Sequence, residues 1–136
     1  MARNYRLRLE GAGIDRWRYD ELIAFCRQYP DKREHADALA DVKSAWNAGA
    51  SGGGGENASP VERAAMRREA IVRDCELIEQ TALRIDGGKW YAALMLNCCY
   101  GQAYGRLAPE TLPTSRREAY FAARRAFLVA LDAAKN

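Results

Sequence analysis

The stretch WYAALMLNCCYGQAYGRLAPETLPTSRREAYFAARRAFLVAL, residues 90–131, decides the fold class of this chain. Its first residues belong to a segment, 89–100, that is apolar on nearly every side, which is typical of a helix buried in a core. Residues 101–107 have room for one or two helical turns, and Pro109 and Pro113 then break the helical pattern. The stretch therefore predicts a buried helix, a short helix and a turn.

A longer helix is predicted from residue 116 to about residue 133, with Ser115 and Glu118 as a capping box. Its first turns are basic, and its later turns carry Phe127, Leu128, Val129 and Leu131. A recognition helix places its N-terminal end in the major groove, where arginine side chains meet phosphates and base edges. A short helix, a turn and a longer basic helix predict a helix-turn-helix that binds DNA.

Two helices are predicted upstream in the first third of the chain. The first spans 15–28 on the spacing of its apolar residues, and Pro30 ends it. Asp31 is a candidate N-cap for a second helix that reaches about residue 47. Residues 1–13 are interpreted as a loose basic arm, with a short strand against a partner as the alternative.

A glycine-rich linker and a third helix follow. Residues 50–58 contain four consecutive glycines and lack the Gly-Lys-Ser/Thr ending of a phosphate-binding loop. Ser59, with Glu62 three residues later, predicts a helix start, and this helix should continue to about residue 85. At about 25 residues it is long for a globular helix and leaves pairing with a second copy open.

These elements predict an all-α fold. The expected organisation is an N-terminal helical hairpin at 1–48, a flexible glycine-rich linker at 49–58 and a helical domain at 59–136. That last domain is expected to be a bundle of three to four helices that ends in the helix-turn-helix. The formal net charge is only +3, but the segment 88–136 holds seven Lys and Arg residues against three Asp and Glu residues. The excess positive charge therefore belongs to the C-terminal region.

The residues needed for catalysis or metal binding are scarce. The four cysteines lack zinc or redox spacing, so we expect buried free thiols, with a vicinal Cys98–Cys99 pair as the alternative. The single histidine, His35, lies on a polar helix and can build no catalytic triad or zinc cluster. We predict no enzyme activity, no metal and no cofactor. With no signal peptide and no membrane-spanning segment, a cytoplasmic location is expected.

Specific positions in the decisive stretch carry a family resemblance: Tyr100-Gly101, Tyr104, Leu107, Leu112-Pro113, Ser115-Arg116, Tyr120, Arg124-Arg125, Phe127 and Leu131. With these, the stretch resembles the C-terminal helix-turn-helix of sigma-factor region 4 and of phage late-gene transcription activators of the ArpU/RinA kind. The run 17–22, followed by Tyr29-Pro30, is similar to the opening helix of those phage proteins. The long glycine linker and the two prolines of the turn depart from the family pattern.

The resemblance implies that Ser115, Arg116, Arg117 and Tyr120 face DNA, that Arg124 supports contacts to the DNA backbone and that Phe127 and Leu131 are core. The candidate DNA-binding residues are Ser115, Arg116, Arg117, Tyr120, Arg124 and Arg125. The expected function is sequence-specific transcription control of phage or mobile-element type. Double-stranded DNA is the expected partner, and RNA polymerase, another host protein or a second copy of the chain are further candidates.

Two other functions are compatible with this architecture. A phage-type effector could bind and inhibit a host protein or nucleoprotein complex through an aromatic surface. Its candidate contact residues are Trp17, Phe25, Tyr29 and Trp46. A DNA-packaging subunit is a third option, although such proteins usually place the motif near the N-terminus.

Overall fold

The computed structural model describes residues 12–49 and 59–136, and of residues 41–49 it describes only the backbone. Both described ranges form helices and turns and contain no β-strand, so the all-α prediction is confirmed. The predicted basic arm over 1–13 and the glycine-rich linker at 49–58 lie almost entirely outside the described residues.

Helix α1 spans Arg16–Arg27. Its N-cap is Asp15, whose Oδ1 atom accepts a hydrogen bond from the backbone N–H of Arg18 at 2.8 Å. The cap satisfies one of the amides that have no partner within the helix. The predicted start of this helix at residue 15 is therefore confirmed.

Helix α2 spans Tyr29–Gly49 and begins earlier than the sequence predicted. We expected Pro30 to separate two helices and Asp31 to cap the second. Instead, Pro30 lies in the first turn of α2, where its missing N–H is not needed, and Asp31 lies inside that turn. One residue, Gln28, then separates α1 from α2.

Helix α3 spans Pro60–Arg84, and Ser59 caps it as predicted. The Oγ atom of Ser59 accepts a hydrogen bond from the backbone N–H of Glu62 at 3.1 Å. A 3₁₀ turn, Ile85–Gly88, ends the helix, with Asp86 at φ 48° and Gly87 at φ 69°. Two successive left-handed residues redirect the chain after α3.

The remaining elements are shorter until the last helix. Helix α4, Tyr91–Leu94, continues into a π-helical turn, Met95–Cys99. Two 3₁₀ turns follow, Tyr104–Arg106 and Pro109–Thr111. Helix α5 spans Arg117–Lys135. The first helix expected for the helix-turn-helix, at residues 101–107, is thus a single 3₁₀ turn.

The start of α5 differs from the predicted capping box. Arg116 occupies the N-cap position and makes no side-chain cap hydrogen bond. The Oγ1 atom of Thr114 accepts a hydrogen bond from the backbone N–H of Arg116 at 3.3 Å, outside the helix. The prediction that Ser115 and Glu118 form a capping box is wrong, because the helix begins one residue later than that box requires.

The described residues form two compact units. The first unit joins the residues up to Tyr29 with Leu77–Asn136, and the second lies within Pro30–Glu76. Within the first unit, α1 packs against the π turn and α5. The second unit buries Ala36, Leu39, Ala64 and Cys75. The first unit holds the larger core, which includes Ile14, Leu22, Cys26, Ile78, Trp90, Leu94, Cys98, Cys99, Tyr120, Phe127, Leu128 and Leu131.

Candidate nucleic-acid interface

The C-terminal half of α5 is anchored in the core of the first unit. Phe127 and Leu131 have no exposed surface, which confirms their predicted core position. Arg18 of α1 forms an ion pair with Asp132. The ammonium group of Lys135 lies 3.7 Å from the centre of the Phe25 ring. These contacts hold the last turns of α5 against α1.

The N-terminal end of α5 is open to solvent. Ser115, Arg116 and Arg117 are all exposed, and Arg125 is half-buried two turns further along. Because the N-cap residue Arg116 makes no side-chain cap, the backbone N–H groups of Arg117 and Glu118 are available to an anion. The positive end of the helix dipole adds to the charge of the arginines.

The guanidinium group of Arg117 rests on two aromatic rings. Its central carbon lies 5.1 Å from the centre of the Tyr104 ring and 4.8 Å from that of Phe121. The two rings lie 5.5 Å apart, and Tyr104 also packs at 5.2 Å against the buried ring of Tyr120. The 3₁₀ turn Tyr104–Arg106 thus supports the first turn of α5 through aromatic contacts.

Tyr120 does not face DNA, which corrects the sequence-based assignment. Its side chain has no exposed surface, and its hydroxyl donates a hydrogen bond to Oδ1 of Asn97 at 2.7 Å. Tyr120 lies on the same face of α5 as Ala123, Phe127 and Leu131, at helical spacing. Its ring is therefore part of the core, and its hydroxyl is satisfied inside the protein.

Arg124 is also directed inward. Its Nε atom donates to Oδ1 of Asn97 at 3.1 Å, and one terminal nitrogen donates to the hydroxyl of Tyr19 at 3.0 Å. The guanidinium carbon lies 5.7 Å from the centre of the same Tyr19 ring. The expectation that Arg124 supports contacts to the DNA backbone is wrong in this structure, because its donors bind protein acceptors.

Asn97 is the residue that sequence reasoning missed. It lies in the π turn, and its side-chain amide nitrogen donates to the carbonyl of Gln102 at 2.8 Å. Its oxygen receives the hydrogen bonds from Tyr120 and Arg124. The available signal was a polar amide inside an otherwise apolar segment, since a polar group in such a place needs partners.

The four cysteines are buried free thiols, as predicted. Burial raises the pKa of the Cys98 thiol to about 11, against a partly opposing effect of the Arg124 charge. The pKa of Cys26 is raised by its hydrogen bond with the Cys99 thiol and by burial. Neutral thiols are poor nucleophiles and poor metal ligands, so Cys26 and Cys98 act as packing residues.

The residues predicted for protein binding have different positions. Trp17 is 70% exposed, whereas Phe25 and Tyr29 are buried and belong to the core of the first unit. Phe25 lies under Lys135, and the hydroxyl of Tyr29 donates to Glu79. Phe25 and Tyr29 are therefore not available as contact residues, which corrects that assignment. The side chain of Trp46 lies outside the described residues.

We compared the chain with known protein families, curated proteins and solved structures. No family model, no curated protein and no solved structure matches the chain.

Over residues 12–40 and 59–136, no group of three or more His, Cys, Asp or Glu side chains is placed to hold a metal ion. No helix in the described part of the chain has the length and apolar character needed to cross a bilayer.

Proposed function

We propose that the chain binds double-stranded DNA through the N-terminal end of α5, as a transcription regulator of phage type. The observation that carries the proposal is the division of α5 along its length. Ser115, Arg116 and Arg117 are exposed at one end, while Phe127 and Leu131 are buried at the other. An anchored helix with a free basic N-terminus is the arrangement used by recognition helices.

The charge around this end supports the same function. Between residues 104 and 125 the chain carries Arg106, Arg116, Arg117, Arg124 and Arg125 against Glu110 and Glu118. Arg124 is engaged inside the protein, and the other four arginines are exposed or half-buried. Together with the uncapped amides of α5, they provide a positive surface for a phosphate backbone.

The residues of the proposed interface have two roles: some contact DNA, and others hold α5 in position. Ser115, Arg116, Arg117 and Arg125 are the proposed contact residues. Tyr120 and Arg124 instead fix the rotation of α5 through Asn97. Transcription control, with RNA polymerase or a second copy as a further partner, rests on the resemblance to phage activators and belongs to the same proposal.

The salt dependence of binding to a fluorescently labelled random-sequence duplex tests this proposal. Each neutralised phosphate releases counterions, so three phosphate contacts should weaken binding about 40-fold between roughly 50 and 200 mM salt. A steep dependence of this kind supports a nucleic-acid interface. Absence of binding at the lower salt concentration, or affinity that does not change with salt, would refute it.

A protein-binding effector is a second candidate, and the exposure of Trp17 favours it. The indole is 70% exposed, and the guanidinium of Arg16 lies 5.5 Å from the centre of its ring. Exposed tryptophans backed by arginine are frequent at protein interfaces. Capture of the same host protein by the wild-type chain and by Trp17→Ala would exclude this surface. Capture by the wild-type chain alone would support it.

A further inference from the structure

Arg117 differs from the other arginines of the proposed interface in how its side chain is held. Its guanidinium lies 5.1 Å from the Tyr104 ring and 4.8 Å from the Phe121 ring. Across the part of the chain that the structure describes, its N–H groups donate to no acceptor and no carboxylate pairs with it. The side chain is thus positioned by the rings while its donors stay unused.

Arg116 and Arg125 lack this support. Neither guanidinium lies over an aromatic ring among the described residues, and Arg116 is exposed. A phosphate contact needs mainly charge, which a mobile side chain also provides. Supporting the guanidinium on two rings matters where the direction of two parallel N–H groups decides what is bound.

We propose that Arg117 reads a guanine base in the major groove. Guanine presents its O6 and N7 atoms there as two acceptors in one plane, and this pair matches the fork of an arginine. The aromatic support lowers the entropy lost when the fork is fixed on the base. Arg117 is then a specificity-determining residue, and this inference rests on the proposed binding of DNA by α5.

Selection of bound sequences from a randomised duplex library tests the inference on the full chain. The variants are Arg117→Lys, which keeps the charge but loses the fork, and Phe121→Leu, which removes one ring and keeps an apolar side chain. Arg125→Lys is the matched control at an arginine without a ring. Circular dichroism of each variant confirms that its helices are retained.

The wild-type chain and Arg125→Lys should enrich the same guanine position. Arg117→Lys should lower the preference for guanine at that one position about tenfold. Phe121→Leu should lower it by less, because one ring of the support remains.

Two outcomes would overturn the inference, and they can be told apart. If the Arg117→Lys variant binds every sequence more weakly but keeps the guanine preference, Arg117 contacts a phosphate. If the wild-type chain binds no duplex at low salt, the proposed function itself fails, and the reading of guanine fails with it.

Discussion

The hydroxyl of Tyr120 donates a hydrogen bond of 2.7 Å to the side-chain oxygen of Asn97, which lies 23 residues earlier in the chain. The same oxygen accepts from Arg124 at 3.1 Å, so one amide in the π turn holds two successive turns of α5. This pair fixes which face of α5 is buried. Arg116 and Arg117 reach solvent because Tyr120 and Arg124 are held inward.

Removing the Tyr120 hydroxyl should destabilise the protein. Tyr120→Phe keeps the ring but leaves Oδ1 of Asn97 with one donor fewer, so we expect a loss of about 1 kcal/mol in the free energy of unfolding. Urea denaturation followed by circular dichroism measures this. Tyr104→Phe is the control, because the described residues offer no partner to the Tyr104 hydroxyl, and it should stay within about 0.5 kcal/mol of wild type.

A double-mutant cycle checks that the two residues act as a pair. Asn97→Ala should lower the free energy of unfolding more than Tyr120→Phe does, since it removes the acceptor used by both Tyr120 and Arg124. The combined variant should be less destabilised than the sum of the two single changes. Strict additivity would mean that the hydrogen bond contributes nothing to stability.

Two serines that precede helices should respond differently to alanine. Ser59 caps α3 through the N–H of Glu62, so Ser59→Ala should lower the free energy of unfolding by about 1 kcal/mol. Ser115 makes no cap at the start of α5, so Ser115→Ala should change the free energy of unfolding by less than about 0.5 kcal/mol. If both variants lost the same stability in urea denaturation, Ser115 would cap α5 as the sequence predicted.

The raised pKa of Cys98 predicts a loss of stability at alkaline pH. The unfolded thiol ionises near its ordinary value of 9.0, whereas burial holds the folded pKa at about 11. Below pH 9 the thiol is neutral in both states and contributes no pH dependence. As pH rises towards 11, the unfolded state gains by ionisation, so stability falls.

Urea denaturation of the wild-type chain and of Cys98→Ala at about pH 8 and about pH 10.5 isolates this effect. Other groups titrate in both proteins, so the difference between the two pH dependences belongs to Cys98. The wild-type chain should lose more stability than the variant on going to the higher pH. Identical losses would mean that the folded thiol ionises normally.

The turn after α3 depends on Asp86 for two reasons. Its φ of 48° disfavours most side chains, and its Oδ2 atom accepts a hydrogen bond of 3.0 Å from the indole N–H of the buried Trp90. Asp86→Ala removes the hydrogen bond to Trp90 and places a less tolerant residue at the left-handed position. It should therefore lower the free energy of unfolding by about 2 kcal/mol. Asp86→Asn tolerates the left-handed backbone and keeps an oxygen acceptor, so it should cost less than about 1 kcal/mol in the same urea assay.

Local signals predicted much of this fold. The caps at Asp15 and Ser59 and the helices that they begin could be read from a few neighbouring residues. The inward position of Tyr120 could also have been predicted, since Tyr120 lies at helical spacing from Phe127 on the core face. The resemblance to the phage activators instead implied that Tyr120 faces DNA.

Other features depend on contacts that local sequence does not encode. Arg124 is directed inward because Asn97 and Tyr19, 27 and 105 residues away, supply its acceptors. The π turn at Met95–Cys99 has no cap or proline that would mark it in the sequence. The aromatic support of Arg117 depends on a 3₁₀ turn that approaches α5 only in the folded chain.

The most direct test of the DNA-binding proposal is the affinity of two charge-matched double variants for a labelled duplex. Arg116→Ala with Arg117→Ala removes two arginines from the exposed end of α5, and Arg67→Ala with Arg73→Ala removes two exposed arginines from α3. We predict that the first pair weakens binding at least about tenfold and lowers the salt slope by roughly 1, because only Arg116 of that pair is assigned to a phosphate, while the second pair leaves both almost unchanged. Equal weakening by the two pairs, or unchanged binding by the first, would contradict an interface at the start of α5.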